Sequence, residues 1–173
     1  MYKKSGITDT EKPSVPKTKT AEQAVAALMR YAARAERSSG DAMRLMQRWG
    51  VPEADREKVL DRLTAAGFID DERFAAAYVR EKSEFSGWGI YKIRAGLRNK
   101  GIARDTAERA IAALNASTCD EKLEEVMARK LKNIKADTPY DRKSKLIRFG
   151  LSRGYEYDAV METAERLVKT ADQ

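Results

Sequence analysis

Three glycines, Gly50, Gly101 and Gly154, punctuate this chain at separations of 51 and 53 residues. Each closes a similar stretch: Met46-Gln47-Arg48-Trp49-Gly50-Val51, Leu97-Arg98-Asn99-Lys100-Gly101-Ile102 and Leu151-Ser152-Arg153-Gly154-Tyr155. An amphipathic run, a glycine and then an apolar residue is how a helix stops at a left-handed C′ position, where a Cβ is unwelcome. The apolar face of the next segment recurs as well. Leu60, Ile111 and Ala164 stand tenth after the three glycines, and Leu63, Leu114 and Leu167 thirteenth. The pattern predicts a threefold internal repeat of three-helix units. One unit of about 50 residues cannot bury its apolar stripes alone, and stacking like units is the usual solution. An array of this kind offers a surface for binding more readily than a pocket for chemistry.

The expected fold is therefore all-α: an elongated array of three tandem three-helix repeats behind a disordered basic N-terminal tail. Met1 to Thr20 carries five lysines and two prolines with almost no apolar periodicity, which reads as the tail. Repeat 1 covers 21–69, repeat 2 covers 70–117 and repeat 3 covers 118–173. In repeat 1, Ala24, Leu28, Tyr31, Ala32 and Ala35 make a first stripe, with Ser38 or Ser39 as the next cap and Ala42, Leu45, Met46 and Trp49 inward. Pro52 opens the third helix, whose buried face is Val59, Leu60 and Leu63. Repeat 2 starts at Asp70-Asp71-Glu72, three acids suited to a helix N-terminus, with Phe74, Tyr78 and Phe85 on one side of that helix. Ser86-Gly87-Trp88-Gly89 breaks the chain before Ile90, Ile93 and Leu97. In repeat 3 the stripes are Leu123, Val126, Met127, Leu131 and Ile134, then Leu146, Ile147, Gly150 and Leu151, then Tyr157, Val160, Met161, Ala164 and Leu167. Phe68 and Ile69, at the first junction, are expected to be buried and to pin repeat 1 to repeat 2.

Composition narrows the chemistry. With no histidine and one cysteine, the chain can build neither a His-based metal site, a Ser-His triad nor an internal disulfide. Cys119 falls near a helix start, which can lower a thiol pKa, although a small, partly buried linker residue is the plainer reading. Asp70 and Asp71 are the one conspicuous carboxylate pair and read as helix caps, not catalytic acids. No catalytic residue, cofactor or metal is expected. No apolar run is long enough to cross a membrane and no signal-like segment opens the chain, so the cytoplasm is the expected location.

The net charge of +7 is unevenly placed. No acidic residue lies between Ser86 and Gly101 or between Arg142 and Gly154, whereas Asp and Glu gather in the first and third helices of each unit. Arg94 and Arg98 are four apart, and Arg142, Lys145 and Arg148 three apart, so each set shares a helix face. Arg48, Lys92, Arg94, Arg98, Lys100, Arg142, Lys145, Arg148 and Arg153 are therefore the candidate partner-binding residues. A stripe of such cations attracts an acidic protein surface or a phosphate backbone. A direct DNA-binding helix-turn-helix protein is the alternative, against which stand the acids of the third helices: Asp55, Glu57 and Asp61, then Asp105 and Glu108, then Glu156, Asp158, Glu162 and Glu165.

The junction from Leu60 to Val79, reading LDRLTAAGFIDDERFAAAYV, and the stretch from Gly87 to Ile102, reading GWGIYKIRAGLRNKGI, closely resemble the signature of RecX, the bacterial regulator of the RecA recombinase. The resemblance extends over 21 to about 170. Trp88 in the loop departs from the small or basic residues more usual there, and Gly96 and Gly150 are expected to soften two helix interiors. The resemblance implies a binding protein without catalysis, made of tandem three-helix modules. It would lodge in the groove of the RecA filament on single-stranded DNA and suppress its ATPase, strand-exchange and co-protease activities. Weak non-specific binding to single- or double-stranded DNA is compatible with it.

Overall fold

The computed structural model describes residues 18–114 and 116–171, and among these the secondary structure is helical throughout. Residues 1–17, most of the expected disordered tail, lie outside the described residues. The α-helices are α1 (Ala21–Ala32), α2 (Ser39–Arg48), α3 (Glu53–Ala65), α4 (Asp71–Arg80), α5 (Ile90–Asn99), α6 (Arg104–Ala112), α7 (Ala116–Leu131), α8 (Pro139–Ser152) and α9 (Tyr157–Ala171), with a π-helical turn over Glu81–Phe85 after α4.

The three repeat glycines end α2, α5 and α8 as expected. Their φ angles are 67°, 79° and 83°, and the following residue closes a six-residue return: Val51 N–H donates to Met46 O at 3.0 Å, Ile102 N–H to Leu97 O at 3.1 Å, and Tyr155 N–H to Gly150 O at 3.4 Å. This is the Schellman arrangement, and its apolar residue is buried each time, with Val51 1%, Ile102 6% and Tyr155 9% exposed. Helix starts follow their capping chemistry. Thr20 and Gln23 form a reciprocal capping box on α1, Ser38 caps α2, Asp70 caps α4, and Thr138 caps α8 with Pro139 in its first turn.

The buried side chains fall into three clusters. The first, from α1–α3, is built on Leu28, Met46, Val59, Leu63 and Ile69; the second, from α4–α6, on Phe74, Val79, Ile93, Leu97 and Ile111; the third, from α7–α9, on Leu123, Met127, Leu146, Val160 and Ala164. Burying a Leu, Ile, Val, Met or Phe side chain contributes about 1.5–3 kcal/mol, so each module carries its own core, contrary to the expectation that a unit of this size cannot bury its stripes alone.

Several expected positions differ. Phe85 is 82% exposed, because the π-helical turn at Glu81–Phe85 breaks the α-helical phase that links it to Phe74 and Tyr78. Tyr157 is exposed, and buried Tyr155 fills the third core instead, since the Schellman turn aims the residue after Gly154 inward. Leu151 is also partly exposed, at 38%, in the last turn of α8. Ile69 is buried as expected while Phe68 is only half-buried, and both pack on the first core, so their apolar contacts serve module 1. α5 and α8 run unbroken through Gly96 and Gly150. Both glycines admit close neighbours: a Cβ on Gly96 would lie 3.0 Å from Tyr78 Cζ, and one on Gly150 would lie 2.8 Å from Val160 Cγ1.

Candidate partner-binding cleft and the seams between modules

The middle helices meet end to end. Ser38, the N-cap of α2, donates its hydroxyl to Lys100 O at 2.7 Å, at the end of α5. Gly89, the N-cap of α5, donates its N–H to Arg153 O at 2.8 Å, at the end of α8. Ser38 and Gly89 are 51 residues apart and Lys100 and Arg153 are 53 apart, so the two bonds are one contact repeated with the period of the chain. Each joins the N-terminal end of one helix to the C-terminal end of another, which satisfies carbonyls that helix termini leave orphaned.

The cations at these seams are committed to them. Lys100 Nζ reaches Asp41 Oδ2 at 3.0 Å across the first seam. At the second, Arg153 donates to Ser86 O at 3.2 Å and Lys92 to Ser152 O at 3.2 Å, while Lys92 also lies 4.8 Å from the Trp88 ring centroid. Trp88 thereby anchors two lysines, with Lys82 at 5.3 Å from the same ring. Of the acidic pair, Asp70 is the N-cap of α4, whereas Asp71 accepts from Ser39 N–H at 2.8 Å and Ser39 Oγ at 2.6 Å, so it ties α4 to α2.

Arg94 and Arg98 line a cleft of about 710 Å³ between α5 and α6, together with Tyr91, Arg104 and Glu108. Arg94 grips Glu108 with both forks, Nε to Oε1 at 2.6 Å and Nη2 to Oε2 at 2.9 Å. That grip raises the Arg94 pKa and holds the Glu108 carboxyl below its ordinary range. Arg98 is exposed, and its side chain makes no hydrogen bond or ion pair among the described residues. Tyr91 closes one end of the cleft: its hydroxyl donates to Glu156 Oε1 of module 3 at 3.0 Å, which raises the phenol pKa. The cleft therefore abuts the second seam. Arg104 was outside the acid-free windows because it opens α6 beyond Gly101; only its closeness to Glu108 marks it.

The remaining candidates are dispersed. Arg48 flanks a small groove beside Tyr31 and Asp41, Lys145 pairs with Asp141 Oδ2 at 2.7 Å, Arg142 borders an apolar hollow beside Ile134 and Leu167, and Arg148 is exposed on α8. Acids on neighbouring elements fill what the linear windows show as acid-free. Cys119 is half-buried in α7, and burial, with Asp120 adding to it, raises its thiol pKa instead of lowering it. Among the described residues no group of His, Cys, Asp and Glu is placed to hold a metal, and no helix is long and apolar enough to cross a membrane.

What this geometry can do is bind anions: a carboxylate or phosphate entering the cleft meets two guanidinium groups, with a third already held in fork geometry. Comparison with known proteins gives the lineage. Residues 70–111 match the second three-helix domain of RecX and residues 119–163 the third. A regulatory protein RecX of Mycobacterium ulcerans is 30% identical over 151 residues, covering 87% of each chain, and one of Mycolicibacterium vanbaalenii is 33% identical over 125 residues, covering 72% of this chain and 68% of that one. The crystal structure of RecX from Lactobacillus salivarius shares the fold, with a TM-score of 0.74, 20% identity and coverage of 85% of this chain and 96% of that one. Relatives that align over most of its length, with two of the three modules matched individually, mean that this chain belongs to the RecX family of regulatory proteins.

Proposed function

We propose that this protein is a negative regulator of the RecA recombinase, which it meets as a filament on single-stranded DNA. Seated in the filament groove, its modules bridge neighbouring subunits and lower ATP hydrolysis, strand exchange and co-protease activity. The observation that carries this reading is the α5–α6 cleft, where Arg98 stands uncommitted beside the Arg94–Glu108 fork and Arg104. Such a site takes an acidic side chain of a protein partner, and electrostatic steering speeds the encounter. Lys92, Lys100 and Arg153 serve this role indirectly by holding the modules in line, while Arg48, Arg142, Lys145 and Arg148 extend the positive field.

The test is ATP hydrolysis by RecA on single-stranded DNA with the protein titrated in, beside its binding to naked single-stranded DNA. Inhibition at substoichiometric amounts with weak, strongly salt-dependent DNA binding is expected. Unchanged hydrolysis at equimolar folded protein would sink the proposal, and tight binding to naked DNA would favour a direct DNA-binding role.

A further inference from the structure

The carbonyl that receives each seam bond has a counterpart in α2, and it is already occupied. Trp49 stands directly before Gly50, as Lys100 stands before Gly101 and Arg153 before Gly154. Its carbonyl accepts the Lys19 N–H at 2.9 Å, where the other two accept the N-cap of a neighbouring module. Thr18 fills the space over Gly50, since a Cβ there would lie 2.7 Å from Thr18 Cγ2, and Lys19 Nζ sits 5.2 Å from the Trp49 ring centroid. Thr18 and Lys19 thus do for α2 what the start of α2 does for α5.

The start of α8 carries the other half of such a seam. Thr138 Oγ1 accepts the Asp141 N–H at 3.1 Å, as Ser38 Oγ accepts the Asp41 N–H at 3.1 Å. Ser38 donates its hydroxyl to Lys100 O across the seam, but the Thr138 hydroxyl has no acceptor among the described residues. Two positions beyond each N-cap stand Gly40, Tyr91 and Tyr140; the first two lie inside seams, and Tyr140 is 82% exposed.

We infer that the start of α8 and the Trp49–Gly50 end of α2 are complementary halves of a further seam formed between two copies of this chain, and that Thr18–Lys19 is a strap that covers the receiving half. The contact is head to tail, so it leaves one half free at each end and propagates as a chain of copies instead of closing a dimer. The strap competes from within the same molecule at high effective concentration, which keeps the intact protein mostly single. This inference is independent of the partner proposed above, because its readout is self-association alone.

The experiment is sedimentation equilibrium on the full chain over about a hundredfold range of concentration. Lys19→Pro removes the N–H that holds the strap, so the average mass should rise with concentration and self-association should tighten by about tenfold or more relative to the parent. Adding Thr138→Asp, which keeps an N-cap acceptor but replaces the donor with a carboxylate, should return the protein to the parent behaviour. A folded Lys19→Pro protein as monomeric as the parent overturns the inference, and so does association that persists unchanged with Thr138→Asp. If Lys19→Pro fails to fold, Thr18→Gly with Lys19→Gly loosens the same strap while keeping its N–H, and the same rise in mass is required of it.

Discussion

Gly40 and Gly101 meet backbone to backbone at the first seam, so that a Cβ built on Gly40 would lie 2.9 Å from the Gly101 Cα. Gly40 lies in the first turn of α2 and Gly101 is the C′ residue of α5, so the two helix ends approach closely only because neither has a side chain. Gly40→Val should therefore pry the seam open without touching any core residue. A cost of about 1–3 kcal/mol is expected, seen as a lower denaturation midpoint. Faster amide exchange should concentrate at 38–41 and 100–102. Unchanged exchange at both ends would show that the seam does not hold the modules.

Arg98 and Arg94 answer differently to mutation, although they share a cleft. Arg94 is half-exposed and bound in a fork to Glu108, whereas Arg98 faces solvent alone. Reversing both to Glu should reduce the proposed inhibition of RecA by about tenfold or more with the helical circular dichroism intact. Arg98→Glu alone should produce most of that loss, mainly through slower association that is masked by added salt. Inhibition that survives the double reversal would leave this cleft a solvated face.

Much of this fold is legible in the sequence because helix ends and apolar stripes are local chemistry. A glycine after an amphipathic run demands a positive φ, and Gly50, Gly101 and Gly154 have one. What is not legible depends on backbone groups or on phase. The seam acceptors are carbonyls of Lys100 and Arg153, which any residue in those places would offer, so no side-chain pattern marks them. Phe85 left the predicted face because a π turn carries no reliable sequence mark. The cations on α5 and α8 looked unopposed only along the chain: Glu108 answers Arg94 from α6, Asp41 answers Lys100 from α2, and Glu165 of α9 answers Lys143 at 3.3 Å.

Acid should loosen the first seam through Asp41. Burial pushes the Asp41 carboxyl up, but hydrogen bonds from Arg44 and Lys100 outweigh it and hold the pKa below the ordinary value. A carboxyl depressed on folding contributes stability that is present above its unfolded pKa of about 4 and is lost as pH falls through the lower folded value. Asp41 also sits in the first turn of α2, where a negative charge favours the helix. The parent should therefore exceed Asp41→Asn in stability by up to about 1 kcal/mol at neutral pH, given how exposed Lys100 remains, and the gap should close toward pH ~3. Thermal melts of both proteins across that range decide it. A constant gap would mean that the effect of the substitution is packing and not charge.

Ile69 and Phe68 close the first module, and their unequal burial sets the order of their effects. Ile69 is 2% exposed within the first core, while Phe68 only packs against its edge. Both amides reach back to Leu63 O, Phe68 at 2.9 Å and Ile69 at 3.3 Å, so the turn after α3 fixes Ile69 inward. Ile69→Ala leaves a cavity in a module too small to collapse around it and should cost about 2–5 kcal/mol. Phe68→Ala removes a larger side chain from a wetter site and should cost less than Ile69→Ala. Because each module has its own core, hydrogen exchange in the Ile69→Ala protein should accelerate most over 21–67 and least in module 3. Equal acceleration along the whole chain would show that the three cores unfold as one unit.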